Sequence, residues 1–288
     1  MTVVDAHHHF WDPSRAAYPW MTDELAPIRR RFSPEDLQPL LAANGVERTV
    51  LVQTISSEEE TREFLATAAR HEFIAGVVGW VDLTAPDVPE RIAALRAASG
   101  GVKLVGIRHQ VHDEPDAEWL NRPDVRRGIA AVGHAGLAYD LLVRTRELPA
   151  THSLVRAMPD MRFVVDHIAK PAIATGGIDE WSEHMAPLDA LPHVFCKLSG
   201  MVTEAGKGWR VAALVPYVRH ALEWFGPERC MFGSDWPVSL LVASYAQVLS
   251  ACREAVGDVS AAERERIFGG TASDFYRLAV RAPAVQGS

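Results

Sequence analysis

Apolar residues along this chain fall into short β-branched runs, separated by longer stretches in which they recur every three or four positions. Runs bounded by Gly, Pro or polar clusters read as buried strands, and the 3.6-periodic stretches as amphipathic helices. The first run, Val3-Val4, passes into Asp5-Ala6-His7-His8-His9-Phe10-Trp11, a strand arriving at its C-terminal end. Side chains alternate faces along a strand, so Asp5, His7 and His9 are expected on one side and His8 on the other. Further strands are predicted over 49–53, 74–81, 103–107, 137–142, 162–166, 194–198 and 229–233. Between them, one helix opens on Ser33-Pro34-Glu35-Asp36 and closes at Gly45, and a second opens on Ser57 with Glu60 placed for a capping box. Others cover 89–98, 123–133, 147–158 and 209–225, the last ended by Gly226-Pro227. Helices over 244–256 and 260–278 close the chain, and 282–288 is expected to be a flexible tail.

Eight strands alternating with helices predict an α/β fold in which crossover helices join parallel strands. Eight such units fit one closed (β/α)8 TIM barrel spanning residues 1–281 as a single domain. The alternative is an open doubly wound sheet, but no Gly-rich phosphate loop follows the first strand.

In a barrel the reactive residues gather at the C-terminal ends of the strands. The polar residues there are His7 and His9, Gln53, Arg108, Asp140 or Arg144, His167, Lys197 and Ser199, and Asp235. A closed barrel sets its eighth strand beside its first, which brings Asp235 next to His7 and His9. His7, His9, His167 and Asp235 are a donor set for one divalent transition metal, with zinc first by ligand type, and catalysis without a metal stays open. Asp235 and His167 are candidate catalytic groups. Arg108 is a candidate for both catalysis and substrate binding, because a guanidinium just past a strand end can hold an anion or a carbonyl oxygen. His8 and His109 fall on the opposite phase and are expected in packing; Asp166 is expected to be structural. Lys197 either points inward and raises the positive charge of the site or snorkels to the surface. The long segment 11–28 carries Tyr18 and Trp20, which with Trp181 and Trp209 either fill the core or cover a substrate.

Net charge is −8, and the densest basic run is Arg29-Arg30-Arg31, so no nucleic-acid footprint is expected. No apolar run reaches the roughly 18 residues of a membrane span, and no signal-peptide pattern opens the chain. Three widely spaced cysteines, Cys196, Cys230 and Cys252, fit reduced thiols and a cytoplasmic setting. Self-association is left open.

Six segments in order resemble the amidohydrolase superfamily, in particular its branch of sugar and pyrone-dicarboxylate lactonases. They are Asp5-Ala6-His7-His8-His9-Phe10-Trp11, Tyr18-Pro19-Trp20, Gly106-Ile107-Arg108-His109, Asp166-His167-Ile168-Ala169-Lys170-Pro171, Cys196-Lys197-Leu198-Ser199-Gly200 and Gly233-Ser234-Asp235-Trp236-Pro237. The resemblance implies a (β/α)8 barrel, a hydrolytic site on His7, His9, His167 and Asp235, and Arg108 near the substrate. No lysine or glutamate stands at the fourth strand end to bridge two metals, so a two-metal site is not expected. The activity implied is opening of a lactone, with a neutral sugar lactone as substrate, Asp235 activating water, and Trp20, Tyr18, Trp181, Arg108 and Lys197 binding the substrate. The alternative within the superfamily is metal-dependent, non-oxidative decarboxylation of an unsaturated or aromatic acid held by Arg108.

Overall fold

The structure is a computed structural model that describes residues 2–279. The tail expected over 282–288 lies outside the described residues.

Eight strands form one parallel sheet in sequence order: β1 (Val3–His8), β2 (Val46–Val52), β3 (Ile74–Gly79), β4 (Leu104–His109), β5 (Ala138–Leu141), β6 (Phe163–Val165), β7 (Val194–Leu198) and β8 (Cys230–Phe232). The ring closes just past the end of β8. There the Asp235 N–H donates to the His7 carbonyl (2.8 Å) and the His9 N–H to the Trp236 carbonyl (2.7 Å). The architecture is therefore the expected (β/α)8 barrel.

The helices are α1 (Pro34–Asn44), α2 (Glu58–Arg70), α3 (Val88–Ala97), α4 (Pro123–His134), α5 (Leu148–Ala157), α6 (Asp179–Met185), α7 (Met201–Ala205), α8 (Val211–Arg229) and α9 (Tyr245–Val256). α10 (Ala261–Glu265) and α11 (Thr271–Phe275) follow, joined by a π-helical turn over Arg266–Gly270. Helix starts obey local chemistry. Pro34 stands at the first turn of α1, and the Asp36 carboxylate accepts from the Ser33 N–H (2.9 Å). α2 departs from its expected capping box. Ser57 Oγ caps the Glu60 N–H (3.2 Å), but the Glu60 carboxylate turns to the 54–55 backbone instead. Gly226, at φ 64° and ψ 173°, breaks α8 at the expected stop, and a short further helical piece carries the chain to Arg229.

The strands sort their side chains into two buried clusters. Leu51, Val77, Ile107, Leu141, Val165, Leu198 and Phe232 pack outward against the helices. Val4, Ala6, Val50, Val52, Val78, Ala138, Val164 and Met231 fill the barrel interior together with Phe275, Tyr276 and Leu278. The C-terminal segment thus floors the barrel at the N-terminal ends of its strands, where a Cβ on Gly76 of β3 would meet Leu278 at 3.1 Å.

Candidate active site

β1 does not keep the alternation expected of it. Asp5 pairs with Thr49 and His8 with Leu51, three steps on β1 against two on β2, which is a β-bulge. Ala6 belongs to the interior cluster and His7 faces inward as well, so the extra residue turns His7 and His9 to the interior and leaves Asp5 on the other side. Asp5 accepts from the Ser234 N–H (2.8 Å), the His7 N–H (3.1 Å) and the Tyr245 hydroxyl of α9 (3.0 Å). It ties β1 to the segment carrying Asp235 and does not share a face with the two histidines. His8 keeps its expected packing role, with Nε2 on Thr49 Oγ1 at 2.8 Å and its ring against Phe10.

The barrel mouth gathers His7, His9, Arg108, His167 and Asp235, each 4% exposed or less. His7 Nε2 and His9 Nε2 are 3.2 Å apart, and they lie 3.9 and 3.4 Å from Asp235 Oδ1. His167 Nε2 is also 3.9 Å from that oxygen. The backbone pays locally for this convergence: Asp235 takes φ 54°, and His167, Ile168, Ala169 and Lys170 form a left-handed turn with φ between 48° and 59°. Each such residue costs roughly 1–2 kcal/mol. Trp181 Nε1 donates to the Ile168 carbonyl (2.6 Å) and Lys170 pairs with Glu204 (2.9 Å), which hold the turn in place. Gly233 and Gly200 are needed for close approach. A Cβ on the first would stand 2.6 Å from His7 Cβ, and on the second 2.7 Å from His167 Nδ1.

Below these groups lies a buried ionic layer. Lys197 Nζ contacts Asp140 Oδ2 (2.6 Å), Asp166 Oδ1 (2.9 Å) and His7 Nδ1 (3.2 Å). Arg108 Nη1 reaches Asp166 Oδ2 (3.0 Å) and His7 Nε2 (3.2 Å), while its Nη2 is held by the Gln53 carbonyl and side chain. Burial holds His7, His9 and His167 below the usual imidazole range, so all three are neutral near pH 7. Burial alone would raise the Asp235 carboxyl, but the facing His167 and the Lys170 ammonium favour its ionised form and keep it below the usual carboxylate range. Burial likewise works against Asp166, and Lys197, His7 and Arg108 overcome it.

These tautomers bear on metal binding. His9 Nδ1 lies 2.8 Å from the Val52 carbonyl, which assigns its proton there and leaves Nε2 a lone pair. The His9 Nε2 lone pair, His7 Nε2 and Asp235 Oδ1 converge with sides of 3.2, 3.4 and 3.9 Å. Ligands about 2.0–2.2 Å from a tetrahedral ion stand roughly 3.3 Å apart. His7, His9 and Asp235 thus form a donor set for one divalent cation.

Other expectations need revising. Lys197 points inward, but its fully buried ammonium is shared by two carboxylates and faces no substrate. Trp181 is 1% exposed and packs against Tyr217 and Trp224, so it is core, not a substrate contact. Tyr18 lines a side cavity of about 450 Å³ with Phe10, Trp11 and Phe64, its oxygen accepting from the Asp12 N–H. Trp20 is half-buried and hangs from the Thr54 carbonyl (2.9 Å); Trp209 is half-buried and donates to Val242. Of the two candidates on β5, Asp140 enters the interior and Arg144 is exposed. His109 stacks on Trp119 at 4.3 Å, as a packing residue would. Tyr276, whose hydroxyl donates to Asp140 Oδ2 (2.7 Å), gave no signal in the sequence, since it reads as one more apolar position in a closing helix.

A family model described as Amidohydrolase matches residues 4–278. The chain belongs to the amidohydrolase family. It is 44% identical to the L-fucono-1,5-lactonase of Burkholderia ambifaria over 96% of this chain and 95% of that one. It is 41% identical to the L-fucono-1,5-lactonase of Burkholderia multivorans over 96% of both. A solved amidohydrolase from Burkholderia multivorans with bound Zn is 39% identical, with a TM-score of 0.92 over 97% of this chain and all of that one. A 2,6-dihydroxybenzoate decarboxylase, at 13% identity and a TM-score of 0.64, shares the fold alone.

Proposed function

We propose that this amidohydrolase opens a sugar lactone, an aldonolactone, to its hydroxy acid. The observation that carries the reading is the convergence of an ionised Asp235 with His7, His9 and His167 at one barrel mouth, in a chain 44% and 41% identical to two L-fucono-1,5-lactonases.

Asp235 takes a proton from water as the water oxygen attacks the ring carbonyl. Ser199 Oγ lies 2.8 Å from His167 Nδ1, and a serine proton given to Nδ1 leaves the imidazole proton on Nε2, aimed into the mouth. That N–H donates to the growing oxyanion, whereas Arg108, expected at the substrate, has its Nη1 held by Asp166 and His7 and its Nη2 by Gln53. When the tetrahedral centre collapses, the ring C–O bond breaks and the alkoxide recovers the proton held by Asp235. One water is consumed and one hydroxy acid forms. His7, His9 and Asp235 would hold a divalent ion, zinc by donor type, which supplies Lewis-acid polarisation of the carbonyl when bound.

Arg108 argues against decarboxylation. Both its terminal nitrogens are engaged by Asp166, His7 and Gln53, and it is 3% exposed, so no free fork remains for a substrate carboxylate. Three buried free cysteines agree with a reducing, cytoplasmic setting, and among the described residues no helix is long and apolar enough to cross a membrane.

The test is a pH-indicator screen of aldonolactones, with and without chelator. One acid equivalent per lactone is expected. Acid release from none of them, or carbon dioxide from an unsaturated acid, overturns the proposal.

A further inference from the structure

Tyr276 lies forty-one residues beyond Asp235, in the segment that floors the barrel at the end remote from the mouth. Its ring packs with Phe275, and Lys197 Nζ lies 5.4 Å from the ring centre. Its hydroxyl donates to Asp140 Oδ2 (2.7 Å), the same oxygen that holds Lys197 (2.6 Å). Lys197 in turn touches Asp166 Oδ1 and His7 Nδ1. A continuous polar path therefore runs from the floor to the first histidine of the mouth, entirely through buried groups.

We infer that the Tyr276 hydroxyl is a positioning residue for His7, acting through Asp140 and Lys197. The argument rests on what each group has left. Asp140 Oδ1 is buried without a partner, so Oδ2 carries both of the carboxylate's hydrogen bonds. Without the tyrosine proton, Asp140 is left with Lys197 alone, and a buried carboxylate short of donors draws that ammonium toward itself. The movement withdraws Lys197 from Asp166 Oδ1. Lys197 Nζ and Asp166 Oδ1 stand 3.2 and 3.4 Å from His7 Nδ1, so a shift of the ammonium changes what faces that nitrogen and with it the orientation of the ring and the nitrogen that carries its proton. The hydroxyl therefore fixes the orientation of His7 and, through Asp166, of Arg108, without touching substrate.

The test uses the full chain with Tyr276→Phe, which keeps the ring and removes the hydroxyl. The kinetic arm rests on the lactonase reading; a second arm does not. The imidazole ¹⁵N resonances of His7 are recorded without substrate, with those of His193, bonded to the Val155 carbonyl, as the remote reference. For Tyr276→Phe, kcat is expected to fall about tenfold, with KM within about twofold and a lowered Tm, since a buried carboxylate loses a donor, and His7 resonances should shift while those of His193 stay. Phe275→Leu, which loosens the floor and leaves the hydroxyl, should lower Tm and keep kcat. Unmoved His7 resonances with kcat within about twofold of the parent overturn the inference. So does a kcat loss in Phe275→Leu matching that of Tyr276→Phe, because floor packing would then be the cause. If the parent opens no lactone, the functional reading fails and the resonances still decide the role of Tyr276.

Discussion

The two ends of the barrel are built from the same strands and differ completely in what those strands present. Near the floor, the interior positions are Val4, Val50, Ala138, Val164 and Met231, closed by Phe275, Tyr276 and Leu278. One inward step further up the strands stand His7, Asp140, Asp166 and Lys197, all fully buried. The floor is a packed apolar core, which stabilises the fold by roughly 1.5–3 kcal/mol for each large side chain removed from water. The mouth end does the opposite. It buries five charged groups, Arg108, Asp140, Asp166, Lys197 and Asp235, and carries five of the six non-glycine residues with positive φ among the described residues. Breaking local rules at one end of an otherwise consistent fold is what a functional site costs.

The contrast predicts separable effects. The largest belongs to the ionic layer. Lys197→Met leaves Asp140 and Asp166 buried and facing each other without their shared cation, and should cost about 3–5 kcal/mol in denaturant unfolding. A loss under about 1 kcal/mol would mean that the pair is not the closed unit described here.

A smaller effect is expected at the strained turn. Trp181→Phe keeps most of the ring and removes the N–H held by the Ile168 carbonyl. Stability should fall by about 1–3 kcal/mol, and kcat should fall with it because His167 opens that turn. Unchanged kcat would show that the turn needs no outside support.

The smallest effect is expected at Glu60, whose side chain lies on the segment just past β2. Its carboxylate accepts the Thr54 and Ile55 N–H groups, yet burial pushes its pKa up to about 7. A folded pKa above the unfolded one means that the native state holds the extra proton between the two, so stability falls as pH rises from about 4.5 toward 7. Glu60→Gln should flatten that slope, by on the order of 1 kcal/mol per pH unit. Unfolding curves across that window check it, and an unchanged slope would remove Glu60 as its source.

Much of this contrast is legible in the sequence, because strand periodicity and helix caps are local. All eight strands, their order and the meeting of Asp235 with His7 and His9 follow from apolar runs and ring closure. What local patterns cannot carry is orientation set by distant partners. Asp5 looks like a companion of His7 until one extra residue in β1 separates them. Trp181 looks like a lid aromatic, but α8 and the left-handed turn at Ile168 converge to bury it. Lys197 could be read inward or outward, and only Asp140 and Asp166, from two other strands, decide it. Tyr276 is invisible because its partner lies 136 positions earlier in the chain.

The most direct measurement of the central claim is kcat/KM of Asp235→Asn on the fastest-opened aldonolactone, with Tm recorded alongside. The amide keeps the shape of the side chain but cannot take the proton of water. Activity should fall about 10²- to 10⁴-fold at a near-parental Tm. Activity within a few-fold of the parent would contradict the account, because the mouth would then work without its base.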